Sequence, residues 1–423
     1  MPSAQKIIRL RGSTQEYDWG KQGSASLVAH LGTNAAGSDF KVDEKKSYAL
    51  VWMGTHQNGP AHFFSDPRKS LLDLIFSDPK YYLGDASSQK WPETKHVPFL
   101  FKILSIEKAL PLQFHPDRVI AEELAKQDPE NFADPNHKPE IVVAIGEPID
   151  GGSWGEGVTF TGFVGFQPLS KIREHITSSE DLCEAIGDDK IVDTFRPQAA
   201  IAPLVASSLQ RIASGASRFP PDITRLVRTV NDHGEAVYIG ADEAHAYLAG
   251  NIIGCMTVSD NVLNVAFVAP AERRTADFVR ALTFTAHSEE HRRLSHARYA
   301  KSKTGKTQAY DPPLEESVVL GTALKQGETE TLAAVDGPTL GIVTLGRMKV
   351  SADGEALTLV EGSICCVSPG TDTEISVAEG DREYTEDILV MKLDVLAMEI
   401  TVTAASDGGY AYKLKQCLDL SVI

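Results

Sequence analysis

The chain has 423 residues, 42% of them hydrophobic and 23% charged, which is too long for one ordinary core and sets an expectation of two or three domains. Its 41 basic and 58 acidic side chains give a formal net charge of −17, which argues against nucleic acid as a partner while leaving room for a small anionic substrate held by a few Lys and Arg. No apolar run approaches a membrane span, the first twenty residues carry no secretory pattern, and the five cysteines (Cys183, Cys255, Cys365, Cys366, Cys417) include no C-x-x-C pair, so the expectation is a cytoplasmic protein with free thiols and no membrane partner.

In chain order, residues 1–160 read as short strands and turns with a few helices. HVPFLFKILSI and PEIVVAI have the character of strands; DPRKSLLDLIF and HPDRVIAEELAKQ have helical spacing, with Asp66 and Pro116 as start signals. From 161 to 232 apolar residues recur at three and four, as in LSKIREHITSSEDLCEAIGDD, which predicts a helical insertion. Residues 233–314 return to short strands punctuated by Gly, Asn and Asp, pass through a helix at DFVRALTF, and end in the polar, basic stretch SHARYAKSKTGKTQAYDPP, read as a linker. From 315 to 423 strands recur at short spacing with no helix of note, which predicts a jelly-roll or sandwich. The fold class expected is mainly β.

The residues able to do chemistry concentrate before this last segment, since none of the twelve His lies beyond His296. In ALPLQFHPDR an extended chain places Leu110, Leu112 and Phe114 on one face and Pro111, Gln113 and His115 on the other. Gln113 and His115, with Glu140 at the head of EIVVAI and His245 in DEAHAYL, form a set of N and O donors that an antiparallel barrel could converge on a catalytic metal. The spacing alone leaves two readings open, a metal clamp and a set of polar residues satisfied by ordinary hydrogen bonds.

The ordered segments YDWGKQGS, WMGTHQNGP, PFLFKILSI, LQFHPDR, NHKPEI, HAYLAG and SDNV, spanning residues 17 to 265, resemble the successive motifs of type I mannose-6-phosphate isomerases. The resemblance implies two cupin-type (jelly-roll) barrels with an inserted α-helical domain, and one zinc ion held by Gln113, His115, Glu140 and His245. It further implies a proton moved between C1 and C2 through an enediol, interconverting mannose 6-phosphate and fructose 6-phosphate and feeding GDP-mannose synthesis in a cytoplasmic monomer. Lys102, His137, Lys138 and Asp260 match family positions associated with proton transfer, ring opening or phosphate contact, and Asp18 and Trp19 match positions lining the substrate pocket. A lysine in FLFKIL could equally snorkel to the surface.

The chain departs from the family pattern near this chemistry. Gly254 and Leu50 stand where the family carries Glu, Pro111 where it often carries Ser, and Asn264 where it carries an Arg implied to contact substrate; the Thr-Pro-Lys that follows is missing. Arg273 and Arg274 are candidate substrate-binding cations in compensation, the alternative being a solvated basic pair. Two other functions therefore stay open: a zinc-binding cupin that holds a sugar phosphate without isomerising it, and an isomerase of another sugar. A metal-dependent oxygenase of the cupin type is a more distant rival.

Overall fold

A computed structural model describes residues 5–37, 39–92, 95–149, 157–178, 228–282, 292–378 and 388–394. Most of the expected helical insertion, residues 179–227, lies outside the described residues, as do Cys183 and Cys417; of that insertion the helix Leu169–Ser178 is seen. The fold is mainly β, in three principal sheets. Among the described residues no helix is long and apolar enough to cross a membrane.

The first barrel is built on one long strand, His245–Thr257, buried along its whole length. Its second half lies between Phe99–Ile106 and Glu140–Ala144, and its first half pairs with Phe160–Val164, so one strand ties together segments far apart in sequence. The switch of partners falls at Gly250. There φ is +112°, and a Cβ would lie 2.2 Å from the Thr159 carbonyl oxygen, so only glycine allows the approach. The strands Leu112–Phe114 and Leu263–Ala266 close the site end, with Gln113 opposite both His245 and Asn264. The outer face packs the large core of Val51, Met53, Phe99, Phe101, Ile103, Ile141, Val143 and Ile253; alternation along each strand leaves the opposite face to Trp52, Lys102, Glu140 and Gly254.

The second barrel packs an eight-stranded sheet on the four strands Thr329–Leu332, Thr373–Val377, Arg347–Ala352 and Glu355–Val360, over a core that includes Leu324, Leu332, Met348, Val350, Leu359 and Ile375. Two segments belong to it against expectation. The N-terminal strand Ile7–Arg11 pairs with Ile364–Val367 and with His62–Phe63, so the chain begins in the second barrel's sheet. The stretch read as a linker forms the strands His296–Arg298 and Thr307–Tyr310, which continue that sheet through Val318–Leu324. Its polar residues conceal strands because a buried carboxylate, Glu330, serves the intervening loop, accepting from the Thr304 and Lys306 amides and the Ser302 hydroxyl.

Both early helices start later than the start signals suggest. Asp66 sits in a turn closed by the Lys69 amide and accepts from the Arg68 amide, and the helix Leu71–Ser77 is capped instead by a reciprocal Ser70–Asp73 box. The helix Arg118–Gln127 is capped by Asp117, whose carboxylate accepts from the Ile120 amide, one residue beyond Pro116.

Candidate metal centre

The site is assembled where the first half of the long strand meets LQFHPD. His115 follows the strand Leu112–Phe114, and its carbonyl accepts from the Asp242 amide, while the Asp242 carboxylate accepts from the Asp117 amide. Asp242 holds φ at +61°, a conformation aspartate tolerates, and this turn leads directly into His245. His115, Glu140 and His245 are all buried, and each offers a ligand atom within 4.8 Å of the others. Gln113 lies directly across from His245 in the ladder, a position that projects from the same face.

Tautomers follow from the partners. The Nδ1 of His115 is 2.7 Å from the Asn261 carbonyl oxygen, and the Nδ1 of His245 is 3.0 Å from the Glu243 carbonyl oxygen. Carbonyls only accept, so both Nδ1 atoms carry the proton and both Nε2 atoms present lone pairs. Burial brings His115 down to about 4 and lowers His245, so both rings are neutral at neutral pH. The His115 Nε2 lone pair therefore faces Glu140 Oε1 at 3.1 Å, and the buried His245 Nε2 has no hydrogen-bond partner among the described residues. Two acceptors held this close, beside a third with nothing to accept from, form a cradle for a cation.

Glu140 is held from its other side by the Tyr247 hydroxyl, which donates to Oε2. Burial acts to raise the Glu140 carboxyl, but the positive charges of Lys102 and Lys138 outweigh it and hold it well below the usual carboxylate range. Lys102 projects from the interior face opposite Gly254 and Trp52. Burial, opposed by Glu140 and aided by the positive charge of Lys138, brings its ammonium down to about 8. Asp260 is paired with buried His56, Nε2 to Oδ1 at 3.1 Å, and this contact keeps its carboxyl low. Because His56 Nδ1 accepts from the Asn58 amide, Nε2 is the protonated nitrogen and donates to Asp260.

The SDN motif binds the loop that carries Glu140. The Asn261 side chain donates to the Asp134 and Asn136 carbonyls, Ser259 donates to the Asp134 carboxylate, and the Asp260 amide bonds the other oxygen of Asp134. One loop thus fixes both the His115 ring and the approach of HKPE.

The remaining assignments from sequence fare differently. His137 lies in a separate cluster, its Nε2 2.9 Å from buried Glu316 and 3.2 Å from Arg118. Arg274 is engaged by Asp128 and lies over the Phe132 ring, while Arg273 reaches the Val268 carbonyl. The Arg274 guanidinium thus takes part in an ion pair with Asp128. Trp19 is partly buried against the inner core and stacks on Tyr17, and Asp18 is exposed. Tyr247, Asn261 and His56 did not emerge as site residues from sequence; the signal for Tyr247 is its place two residues from His245 on one strand face.

Residues 7–154 match the family described as phosphomannose isomerase type I, catalytic domain. The chain is 32% identical to the mannose-6-phosphate isomerase of Ogataea parapolymorpha, over 91% of this chain and 98% of that one. It is 30% identical to that of Saccharomyces cerevisiae, over 88% and 96%. Among solved structures, the apo phosphomannose isomerase of Salmonella typhimurium superimposes with a TM-score of 0.67 at 18% identity, covering 93% of this chain and all of that one. A mannose 6-phosphate isomerase bound with zinc and yttrium aligns equally, with a TM-score of 0.67 at 18% identity over 92% and 100%. Near-complete coverage at 30% identity and above means that the chain belongs to the type I phosphomannose isomerase family.

Proposed function

We propose that the chain is a zinc-dependent aldose–ketose isomerase that interconverts mannose 6-phosphate and fructose 6-phosphate through an enediol. The observation that carries the metal is the facing pair of acceptors, His115 Nε2 and Glu140 Oε1, beside the orphaned Nε2 of His245. Gln113, His115, Glu140 and His245 would hold the ion, a mixed N and O set that suits Zn²⁺. Bound there, zinc supplies Lewis acidity toward a sugar oxygen.

The chain's own groups account for the rest. Lys102, with its pKa near 8, has an Nζ that can both take up and return a proton at neutral pH. Lys138 bears on Lys102, His115, Glu140, His245 and Asp260, and this positive charge beside the candidate ligands supports the holding of an anionic sugar there. Asp260, kept ionised by the His56 N–H, is an acceptor for a sugar hydroxyl. Arg273, Trp19 and Asp18 remain proposals for the outer pocket, and His137 for the barrel junction rather than the reacting atoms. The same reading takes the enzyme to be a cytoplasmic monomer whose product serves GDP-mannose synthesis, with a small sugar phosphate as its ligand.

A second reading, binding without turnover, is favoured by one observation: Asn264 is neutral, and Arg274, a candidate replacement for its charge, pairs with Asp128. A coupled assay with mannose 6-phosphate separates the two. We expect turnover by the zinc-loaded protein, falling about 100-fold or more in Gln113→Ala and His245→Ala. Full turnover after metal removal overturns the zinc reading. Binding without conversion, with turnover gained in Asn264→Arg, establishes the second reading in place of the first.

A further inference from the structure

We infer that Asn264 is a positioning residue of the metal centre, placed so that its free side-chain oxygen accepts from the Gln113 amide when the Gln113 oxygen turns to the ion; the inference rests on the zinc reading above. Asn264, Gln113 and His245 occupy one cross-strand row on three adjacent strands, each directly opposite the next. Residues opposite one another project from the same face, with Cβ atoms about 5 Å apart, within reach of an amide–amide hydrogen bond. The Asn264 Oδ1 atom is buried and accepts no hydrogen bond from the described residues.

Carboxamide chemistry makes that orphan acceptor informative. A glutamine ligates a metal through Oε1, which leaves its NH₂ group with donors to satisfy; turned the other way, it points those donors at the ion. An acceptor opposite Gln113 favours the ligating orientation, and Asn264 Oδ1 is buried at that position. The backbone beneath it is fixed, since the Asn264 carbonyl accepts from the Arg274 amide at 2.8 Å. Asn261, three residues earlier, holds His115 through its own carbonyl at 2.7 Å. One short segment therefore orients two ligands, His115 by a backbone acceptor and Gln113 by a side-chain acceptor.

The test is the Zn²⁺ dissociation constant of the full chain, measured by competition with a chromogenic chelator and without any turnover assay. Asn264→Ala is expected to weaken zinc about 10- to 100-fold, the range for loss of a ligand's supporting hydrogen bond. Asn264→Asp, which keeps the acceptor, restores affinity. In a Gln113→Ala background Asn264→Ala has no further effect, because the residue acts through Gln113. Wild-type affinity in Asn264→Ala, or equal weakening by that change in the Gln113→Ala background, overturns the inference. Absence of stoichiometric zinc in the unmodified chain overturns instead the reading on which it rests.

Discussion

Tyr247 shows how a single hydroxyl shapes the site. It donates to Glu140 Oε2, leaving Oε1 as the oxygen that faces His115. Tyr247→Phe should weaken Zn²⁺ about 10-fold in chelator competition, as expected for a second-layer partner, with little change in fold. The pH dependence of binding has a definite sign. Burial holds His115 near 4, and Glu140 titrates below the ordinary carboxylate range, so neither proton competes with a metal at neutral pH. Zinc occupancy should therefore persist below the ordinary imidazole range and be lost as pH falls toward about 4, where His115 takes up a proton; a loss centred at ordinary imidazole values would contradict it. The four candidate ligands were legible in sequence because each sits in a recognisable motif. Tyr247, Asn261 and His56 were not, because each acts on a group more than 100 residues away.

At the scale of elements, buried polar groups decide what pattern alone misreads. The stretch SKTGKTQAY looks like solvated linker, yet Glu330, fully buried, takes hydrogen bonds from the Ser302 hydroxyl and the Thr304 and Lys306 amides and holds it as a hairpin. Burial acts to raise the Glu330 carboxyl, and these donors outweigh it and lower it. A carboxylate depressed in the folded state stabilises above its unfolded pKa and loses that contribution as pH falls through its folded value. Glu330→Ala, which strands buried amide donors, should cost about 3 kcal/mol in chemical denaturation at pH 7, and the difference from the parent should shrink under acid conditions. Equal acid sensitivity of the two proteins would refute this role. Helix starts carry the same lesson: Asp66 and Ser70 are both acceptable caps by residue type, and the one that caps is set by where the turn at Lys69 ends.

For the whole molecule, the first strand couples the two barrels. Ile7–Arg11 lies between Ile364–Val367 of the second barrel and His62–Phe63 of the first segment, and Glu355 accepts from the Lys6 and Ile7 amides. Glu316, buried near the start of the second barrel, meets His137 and Arg118 of the first. Deleting residues 1–11 removes no candidate ligand, yet it uncovers a strand edge and the core contacts of Ile8 and Leu10. Such a truncation should lower the thermal midpoint by several degrees or more, as burial losses of this kind do in a large domain. An unchanged midpoint would show that the strand is dispensable.

Sequence by itself determined the mainly β character and named the four candidate donors, because strand alternation and motif identity are local properties. Only the tertiary structure decided which groups meet. It placed Arg274 on Asp128 and His137 on Glu316, sent the first strand into the second barrel, and set Asn264 opposite Gln113. The physical reason is that sheet register and ion pairing are contests among partners distant in the chain. A side chain able to serve several partners goes to the one that the packed backbone brings within reach.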